Sequence, residues 1–231
     1  MQRDNTIGIV GEVVATPELV VDAADWGKKV YETKLKRTRP SGTEDIFILQ
    51  FDGSSAGKEE MLKKVKEGVE VMVGGEIRSE NVRDPKPEES RVKVFIYAEI
   101  IAVNSPAVQD QNEVKICGRV CQPPRFRSTC HGVVKGKKVA VASIIVAVNS
   151  YSGTNYIPCV CFGCMAFRAN LLKVGEYVEI YGRFQSRDYK KKIEGKRIQY
   201  LCTAYEVCAF RLKSKRKEGA AAEQGKKGGV E

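Results

Sequence analysis

The stretch Ile7-Gly8-Ile9-Val10-Gly11-Glu12-Val13 recurs in the middle of the chain as Val114-Lys115-Ile116-Cys117-Gly118-Arg119-Val120. The likeness continues downstream at an offset of 106 to 111 residues. Equivalent positions in the same order include Pro17 and Pro124, Phe51 and Phe162, Gly75 and Gly182, Ile77 and Phe184, and Ser79 and Ser186. A repeat of this length in a chain of 231 residues predicts two copies of one domain.

The second copy has the alternation of apolar and polar residues that is typical of β-strands. Alternating or β-branched runs occupy residues 114–120, 139–148, 156–162, 177–181 and 200–210. Gly163–Leu172 is expected to form a short helix with Phe167, Leu171 and Leu172 on one side, and the first copy has Glu59–Val65 in the same place. Five strands with one helix before the fourth are typical of the OB fold. The sequence therefore predicts an all-β protein of two tandem five-stranded OB-fold barrels, each with one short helix.

Polar segments separate and follow the two copies. Residues 104–112 are polar with one proline, which indicates a linker. Residues 213–231 contain no aromatic residue and are rich in Lys, Glu, Gly and Ala, a composition typical of disorder. The predicted organisation is an N-terminal OB-like domain at 1–103, the linker at 104–112, a second OB domain at 113–212 and a disordered tail at 213–231.

The composition bears on the compartment. No window approaches the ~20 apolar residues that a membrane span needs. The first ten residues contain Arg3 and Asp4, and no apolar segment follows them. We therefore expect no signal peptide, no membrane contact and a cytoplasmic, nucleoid-associated protein.

The net charge of +10 is unevenly distributed. Residues 1–106 carry 16 Lys and Arg against 19 Asp and Glu, whereas residues 107–212 carry 17 against seven. A basic domain beside a nearly neutral one indicates that mainly the second copy meets a polyanion, although a basic surface also serves solubility alone.

All eight cysteines lie in the second half: Cys117, Cys121, Cys130, Cys159, Cys161, Cys164, Cys202 and Cys208. Cys159-x-Cys161-x-x-Cys164 resembles part of a zinc knuckle, which Cys202 and Cys208 or His131 could complete. Cys159 and Cys161 alternate within a strand-like run, as small core residues do. We favour the core role, and we expect no disulfide, no metal and no cofactor.

A non-specific single-strand site combines a basic groove along the phosphates with flat side chains that stack on the bases. The second copy interleaves rings and cations, among them Tyr151, Tyr156, Phe162, Tyr181, Phe184, Tyr189, Arg119, Arg125, Arg127, Arg183, Arg187 and Lys190–Lys192. Strand alternation places Arg183 and Arg187 on one face as candidate phosphate contacts, with Phe184 on the core side.

Two points stay open at this stage. In Arg187-Asp188-Tyr189-Lys190-Lys191-Lys192 the ring among cations favours a binding arm, and the alternative is a solvated hairpin tip. Tyr156 and Phe162 are six residues apart and share one strand face, which is either the outer surface or the core.

Five motifs cover most of residues 112–212. They are Gly118-Arg119-Val120, Val148-Asn149-Ser150, Asn155-Tyr156-Ile157-Pro158-Cys159-Val160-Cys161-Phe162-Gly163, Val178-Glu179-Ile180-Tyr181-Gly182-Arg183-Phe184-Gln185-Ser186-Arg187-Asp188-Tyr189 and Thr203-Ala204-Tyr205-Glu206-Val207. Together and in this order they resemble the bacterial single-stranded DNA-binding proteins, the SSB family. The resemblance implies an OB fold and stacking by Tyr156, Phe162 and Tyr189, with Tyr151 as a looser match.

The resemblance also implies an oligomer of four OB folds, so that two domains per chain would make a homodimer. At the three stacking sites the first copy is expected to have Asp45, Phe51 and Val82, which indicates a DNA face that is partly lost. Family members usually end in an acidic, hydrophobic-tipped peptide that recruits replication and repair proteins. The end here is basic, from Gly225 to Glu231, which puts recruitment by that route in doubt.

The leading hypothesis is a protein without enzymatic activity that coats single-stranded DNA in replication, recombination or repair. Its candidate contacts are Tyr156, Phe162, Tyr189, Tyr151, Arg183, Arg187, Lys190, Lys191, Arg119 and Arg127. The alternatives are a primosome-type accessory OB protein that bridges DNA and a helicase or its loader, and an RNA-binding OB protein. An enzyme has least support, because the single histidine, His131, has no matched Asp or Ser and no phosphate loop is present.

Overall fold

The computed structural model describes residues 4–23, 28–54, 60, 62–86, 89–103, 111–129, 138–150, 153–192 and 199–215. The described strands form one continuous twelve-stranded sheet. Those of the first domain are β1 (Asn5–Val13), β2 (Glu18–Ala23), β3 (Lys28–Thr38), β4 (Glu44–Asp52), β5 (Glu70–Asn81) and β6 (Val92–Val103). Those of the second are β7 (Asn112–Val120), β8 (Arg125–Thr129), β9 (Val139–Ser150), β10 (Gly153–Phe162), β11 (Tyr177–Lys192) and β12 (Gln199–Lys215), with helix α1 (Cys164–Asn170) between β10 and β11.

Each domain closes into a five-stranded barrel. In the first, β1 pairs with β3 and β5, β5 pairs with β6, and β6 runs parallel to β4, which pairs with β3. In the second, β7, β9, β10, β12 and β11 repeat this order, again with one parallel pair. The predicted tandem OB fold is confirmed, with β2 and β8 as additional strands that pair with β3 and β9 outside the barrels.

The barrels are joined through their first strands. β1 and β7 pair antiparallel, with Ile7 opposite Val114. These two residues are equivalent in the repeat, so an approximate twofold axis passes through their pair. The symmetry extends to side chains. Asn5 donates from Nδ2 to the backbone oxygen of Ile77 at 2.7 Å and accepts the N–H of Ile77 at 3.1 Å. Asn112 does the same with the backbone oxygen and N–H of Phe184, at 2.8 and 2.9 Å.

The two barrels share one hydrophobic core. Phe47 of β4 stacks on Phe184 of β11 with ring centroids 4.9 Å apart, and both side chains are fully buried. Phe184 in turn stacks on Tyr205 at 6.2 Å. The core position predicted for Phe184 is confirmed, and the aromatic contact makes the two domains one packed unit.

Polar contacts cross between the domains on both sides of the approximate axis. Asp45 in β4 is fully buried, and its Oδ1 accepts hydrogen bonds from the backbone N–H of Ser186 at 2.7 Å and from its hydroxyl at 2.9 Å. On the other side, Asn155 in β10 accepts a hydrogen bond from the backbone N–H of Ser79 at 2.9 Å. Each buried acceptor thus lies on the third barrel strand of one domain and binds the fourth barrel strand of the other.

The helix differs from its sequence prediction. Its buried residues are Ala166 and Ala169, and Leu172 just beyond it is also buried. Phe167 and Leu171 are exposed by 60% and 66%, so they do not share the buried position of Leu172, with which the sequence grouped them on one side. The helix is only seven residues long and lies close to β9, so small residues face the barrel. In the first domain, helical turns at residues 60 and 62–64 occupy the equivalent place.

The structure describes only the end of the predicted linker and the start of the predicted tail. β7 begins at Asn112, the last residue of the predicted linker, and β12 continues to Lys215, inside the predicted tail. Residues 104–110 and 216–231 lie outside the described residues. None of the helices in the described part of the chain is long and apolar enough to cross a membrane.

The buried carboxylate predicts a pH dependence of stability. Burial alone would raise the pKa of Asp45, but hydrogen bonds from Arg39 and Ser186 outweigh it and hold the pKa below its ordinary value. The stabilisation from this group is therefore complete above the unfolded-state pKa of about 3.9 and is lost as pH falls through the lower folded-state pKa. Urea unfolding should show Asp45→Asn less stable than wild type at pH 7, with the difference shrinking below pH ~4. A difference that stays constant in this acidic range would contradict the ion pair.

Candidate nucleic-acid interface

Strand β10 carries two exposed rings, Tyr156 and Phe162. Each lies in a row of directly paired residues across neighbouring strands, and each row also contains an arginine. Directly paired residues project to the same side of a sheet, and one such row runs from Arg119 on β7 through Ala147 on β9 to Tyr156. Because neighbouring strands are about 4.8 Å apart, the backbones of Arg119 and Tyr156 are roughly 10 Å apart. Both residues are exposed, and for Tyr156 the exposed fraction is 51%. The outward position of this ring, left open by the sequence, is thereby established.

A second row, at the other end of β10, repeats the arrangement. It runs from Arg127 on the edge strand β8 through Val141 to Phe162, whose side chain is 43% exposed. Six residues of strand place Phe162 about 20 Å from Tyr156 along the same face. Two rings, each with an arginine two strands away, therefore mark the ends of one outer surface.

A third row lies between them and crosses five strands. Its members are Arg125, Ser143, Val160, Cys208 and Arg183 on β8, β9, β10, β12 and β11. The two arginines at its ends are exposed, while Val160 between them in the row is buried. We call the three rows together the basic face; it offers four guanidinium groups and two rings.

The hairpin of β11 and β12 extends beyond the barrel. We call its outer part, residues 187–192 paired with 199–204, the arm. Alternation places Arg187, Tyr189 and Lys191 on one side of β11, and Lys190 on the other side is exposed. The guanidinium carbon of Arg187 lies 5.7 Å from the centre of the Tyr189 ring, a contact of cation–π type. Lys191 donates a hydrogen bond from Nζ to the backbone oxygen of Glu89 in the first domain at 3.2 Å.

A cleft of about 890 Å³ lies between the arm, the second barrel and the first domain. Arg125, Arg187 and Tyr189 line it from the second domain, and Val82 and Lys93 line it from the first. Tyr156 and Phe162 are on the open basic face instead. The predicted contacts thus form two connected regions, a surface with rings at its ends and a cleft beneath the arm.

Two glutamates, Glu89 and Glu206, line the cleft. Glu206 is buried, and its Oε1 accepts a hydrogen bond from Gln185 Nε2 at 3.1 Å and lies 3.5 Å from Arg187 Nε. Part of the charge of Arg187 is therefore balanced within the protein. Arg183, which occupies the same side of β11, has Cys208 as its cross-strand neighbour.

All but one of the ten predicted contacts lie on the basic face or the arm; Tyr151 lies outside the described residues. Arg125 was not among the ten. It could have been found if Arg125-Phe126-Arg127-Ser128-Thr129 had been recognised as an edge strand whose odd residues point outward. The cleft residues from the first domain could not be found this way, because no pattern within one copy reports contacts with the other.

The thiols do not form a metal centre in the described residues, where no three His, Cys, Asp or Glu side chains lie close enough together to hold an ion. Cys159 and Cys161 are buried in the barrel, as expected for small core residues. Burial raises the pKa of Cys161 to about 12 and raises that of Cys159 well above its ordinary value. His131, which the zinc alternative included, lies outside the described residues.

The sheet register corrects the repeat alignment in one strand. Phe51 pairs with Ala98, and Cys161 pairs with the equivalent Ala209. Phe51 is therefore equivalent to Cys161, and both are core residues. The prediction that matched Asp45 with Tyr156 and Phe51 with Phe162 is wrong by one residue, because the connection before β10 is one residue shorter than that before β4. A slip of one residue exchanges the two faces of a strand.

With the register corrected, the first domain has no ring at any of the three stacking positions. Ile46 is equivalent to Tyr156, Asp52 to Phe162 and Val82 to Tyr189. The charges are inverted as well: Glu12, Glu18, Glu76 and Glu80 take the places of Arg119, Arg125, Arg183 and Arg187.

Nearby cations in the first domain are paired within the protein. Lys36 lies 3.4 Å from Glu12, and Lys93 lies 2.6 Å from Glu32. Arg78 lies 2.5 Å from Glu76, and its guanidinium carbon is 3.5 Å from the centre of the Tyr97 ring. This surface therefore presents carboxylates and neutralised cations where the second domain presents exposed arginines in rows with rings; Arg119 donates a hydrogen bond to the backbone oxygen of Gly175 at 2.9 Å, which leaves its charge in place.

Two closed barrels with an aromatic and basic face on one of them place the chain among the OB-fold proteins. Residues 111–210 match the Single-strand binding protein family, and this second domain belongs to that family.

Solved structures share the fold over nearly the whole chain. The wild-type single-stranded DNA binding protein from Thermus aquaticus aligns with a TM-score of 0.69 at 19% identity and covers 94% of this chain and 96% of that one. A deletion mutant of the same protein gives a TM-score of 0.68 at 20% identity, with coverage of 95% and 98%. No curated protein matches the chain by sequence.

Proposed function

We propose that the protein binds single-stranded DNA without sequence preference, and that it does so mainly with the basic face and the arm of the second domain. The observation that carries this proposal is the pairing of each exposed ring of β10 with an arginine in its own cross-strand row. Membership of the second domain in the Single-strand binding protein family supports it.

The arrangement suits a flexible polyanion. Phosphates of a single strand are attracted by the arginines, and unstacked bases find flat partners in Tyr156, Phe162 and Tyr189. Each base–ring stack contributes about 1–3 kcal/mol, and because every base has a π-face the contact is tolerant of sequence. A duplex keeps its bases stacked on one another and cannot use these rings.

The first domain adds little attraction for DNA in this account. Its equivalent surface lacks the three rings, and four carboxylates stand where the second domain has arginines. The homodimer of four OB folds, the roles in replication, recombination and repair, and the cytoplasmic, nucleoid-associated location stay predictions.

The proposal is tested by titrating fluorescein-labelled oligo-dT, oligo-rU and duplex DNA and following fluorescence anisotropy at two salt concentrations. We expect the tightest binding to oligo-dT, with an affinity that falls as salt rises because counterions are released from the phosphates. Equal affinity for the duplex would refute the proposal. A preference for oligo-rU would favour the RNA-binding alternative instead.

The exposed rings are tested against an internal control. Tyr156→Ala and Phe162→Ala should each weaken oligo-dT binding by about 1–3 kcal/mol, because each removes one base stack. Ile46→Ala, which truncates the exposed equivalent of Tyr156 in the first domain, should leave affinity unchanged. If Ile46→Ala weakens binding as much as Tyr156→Ala, the assignment of binding to the second domain is wrong.

The charge inversion predicts a gain of binding. Changing the exposed Glu18 and Glu80 to arginine places cations where the second domain has Arg125 and Arg187. Two added phosphate contacts should steepen the slope of log K against log salt by about 1.4, at ~0.7 for each contact with a single strand. An unchanged slope would show that the strand does not pass over the first domain even when the charge there is favourable.

A further inference from the structure

The arm begins directly after a residue that makes three hydrogen bonds with the first domain. Ser186 immediately precedes Arg187, and its backbone N–H and hydroxyl both donate to Asp45 Oδ1. Arg39 completes the contact: its Nη2 donates to the backbone oxygen of Ser186 at 2.7 Å and to Asp45 Oδ1 at 2.5 Å. Its Nε donates to Asp45 Oδ2 at 2.7 Å. Three polar groups of one residue of β11 are thus held by an ion pair from the other domain.

The contact on the opposite side of the approximate axis is neutral. There Asn155 takes the place of Asp45, and Ser150 takes the place of Arg39. Asn155 Nδ2 donates to Ser150 Oγ at 3.1 Å, and its Oδ1 accepts the N–H of Ser79 at 2.9 Å. The contact is therefore charged only on the side where the bound strand, β11, continues into the arm.

A buried ion pair is specific in geometry. Asp45 is fully buried and the side chain of Arg39 is 17% exposed, so both charges depend on each other and on Ser186 for their hydrogen bonds. Moving Ser186 away would leave a desolvated carboxylate with fewer donors, which is costly. The ion pair binds both the N–H and the C=O of Ser186. These hydrogen bonds therefore resist rotation of β11 about its own axis.

We propose that Asp45 and Arg39 are positioning residues for the arm: the first domain, whose own face is unsuited to DNA, fixes the orientation in which Arg187, Tyr189 and Lys191 meet a single strand. The proposal rests on the function proposed above. Neither residue touches the DNA; both act through Ser186. The hydrogen bond from Lys191 to Glu89 and the first-domain wall of the cleft hold the arm farther out.

The expected effect on binding follows from preorganisation. If the arm adopts its binding orientation for only a fraction of the time, the apparent dissociation constant rises by the inverse of that fraction. An arm that is correctly oriented about a tenth of the time binds about tenfold more weakly. The slope of affinity against salt should not change, because no phosphate contact is removed.

The test compares variants of the full chain. Arg39→Ser combined with Asp45→Asn installs the neutral pair found on the opposite side, and Asp45→Ala removes the acceptor altogether. Asn5→Ala is the matched control, because it removes two buried hydrogen bonds within the first domain away from the arm. Oligo-dT affinity and salt slope are measured well below each variant's melting temperature. Hydrogen exchange of the amides at 187–192 and 199–204 is followed by mass spectrometry without DNA.

We expect faster exchange in the arm and about tenfold weaker binding at unchanged salt slope for Asp45→Ala, a smaller effect for the neutral pair, and neither effect for Asn5→Ala. Arm exchange and affinity equal to wild type in both Asp45 variants would overturn the proposal, as would an equal loss of affinity in the Asn5→Ala control. Exchange is read without DNA, so wild-type protein that fails to bind oligo-dT refutes the proposed function while the arm amides still decide the positioning role.

Discussion

The pairing of β1 with β7 fixes where the other parts of the molecule lie relative to one another. Because Ile7 faces Val114, its own equivalent in the repeat, the two barrels are related by an approximate twofold axis. That geometry brings the third barrel strand of each domain against the fourth of the other. The Phe47–Phe184 stack and the Asp45–Ser186 and Asn155–Ser79 contacts all follow from it. A different register between β1 and β7 would separate every one of these partners.

On this symmetric skeleton the two surfaces have opposite character. The second domain combines arginines with rings at the ends of β10, while the first has glutamates in the arginine positions and Ile46, Asp52 and Val82 in the ring positions. The barrel strands keep the same register in both domains, so the inverted charges lie in the side chains. The arm is a backbone difference as well, because β11 pairs with β12 as far as Lys192, whereas the pairing of β5 with β6 ends at Asn81. A protein of this design can devote one OB domain to binding and use the other as a support, because the shared sheet and core transmit rigidity from one to the other.

Sequence patterns predicted much of this and failed for identifiable reasons. The repeat and the strand alternation were enough to predict two OB barrels and the buried positions of Cys159, Cys161 and Phe184. The alignment of Phe51 with Phe162 failed because a turn shorter by one residue cannot be located without the hydrogen-bond register. Helical spacing grouped Phe167 with Leu172 on one side, but Leu172 lies beyond the end of helix α1 and is buried, while Phe167 packs on Phe126 at the surface with centroids 5.3 Å apart. The role of Asp45 depends on a residue 141 positions away, which no local pattern reports.

We propose that a single strand lies on the second domain while the first domain holds the arm. Photo-crosslinking of oligo-dT to this chain with ultraviolet light, followed by identification of the modified residues by mass spectrometry, shows where the strand lies. We expect crosslinks at Tyr156, Phe162 and Tyr189, and none at Tyr31 and Tyr97, the tyrosines of the first domain. Crosslinks that fall mainly on Tyr31 or Tyr97 would contradict this proposal.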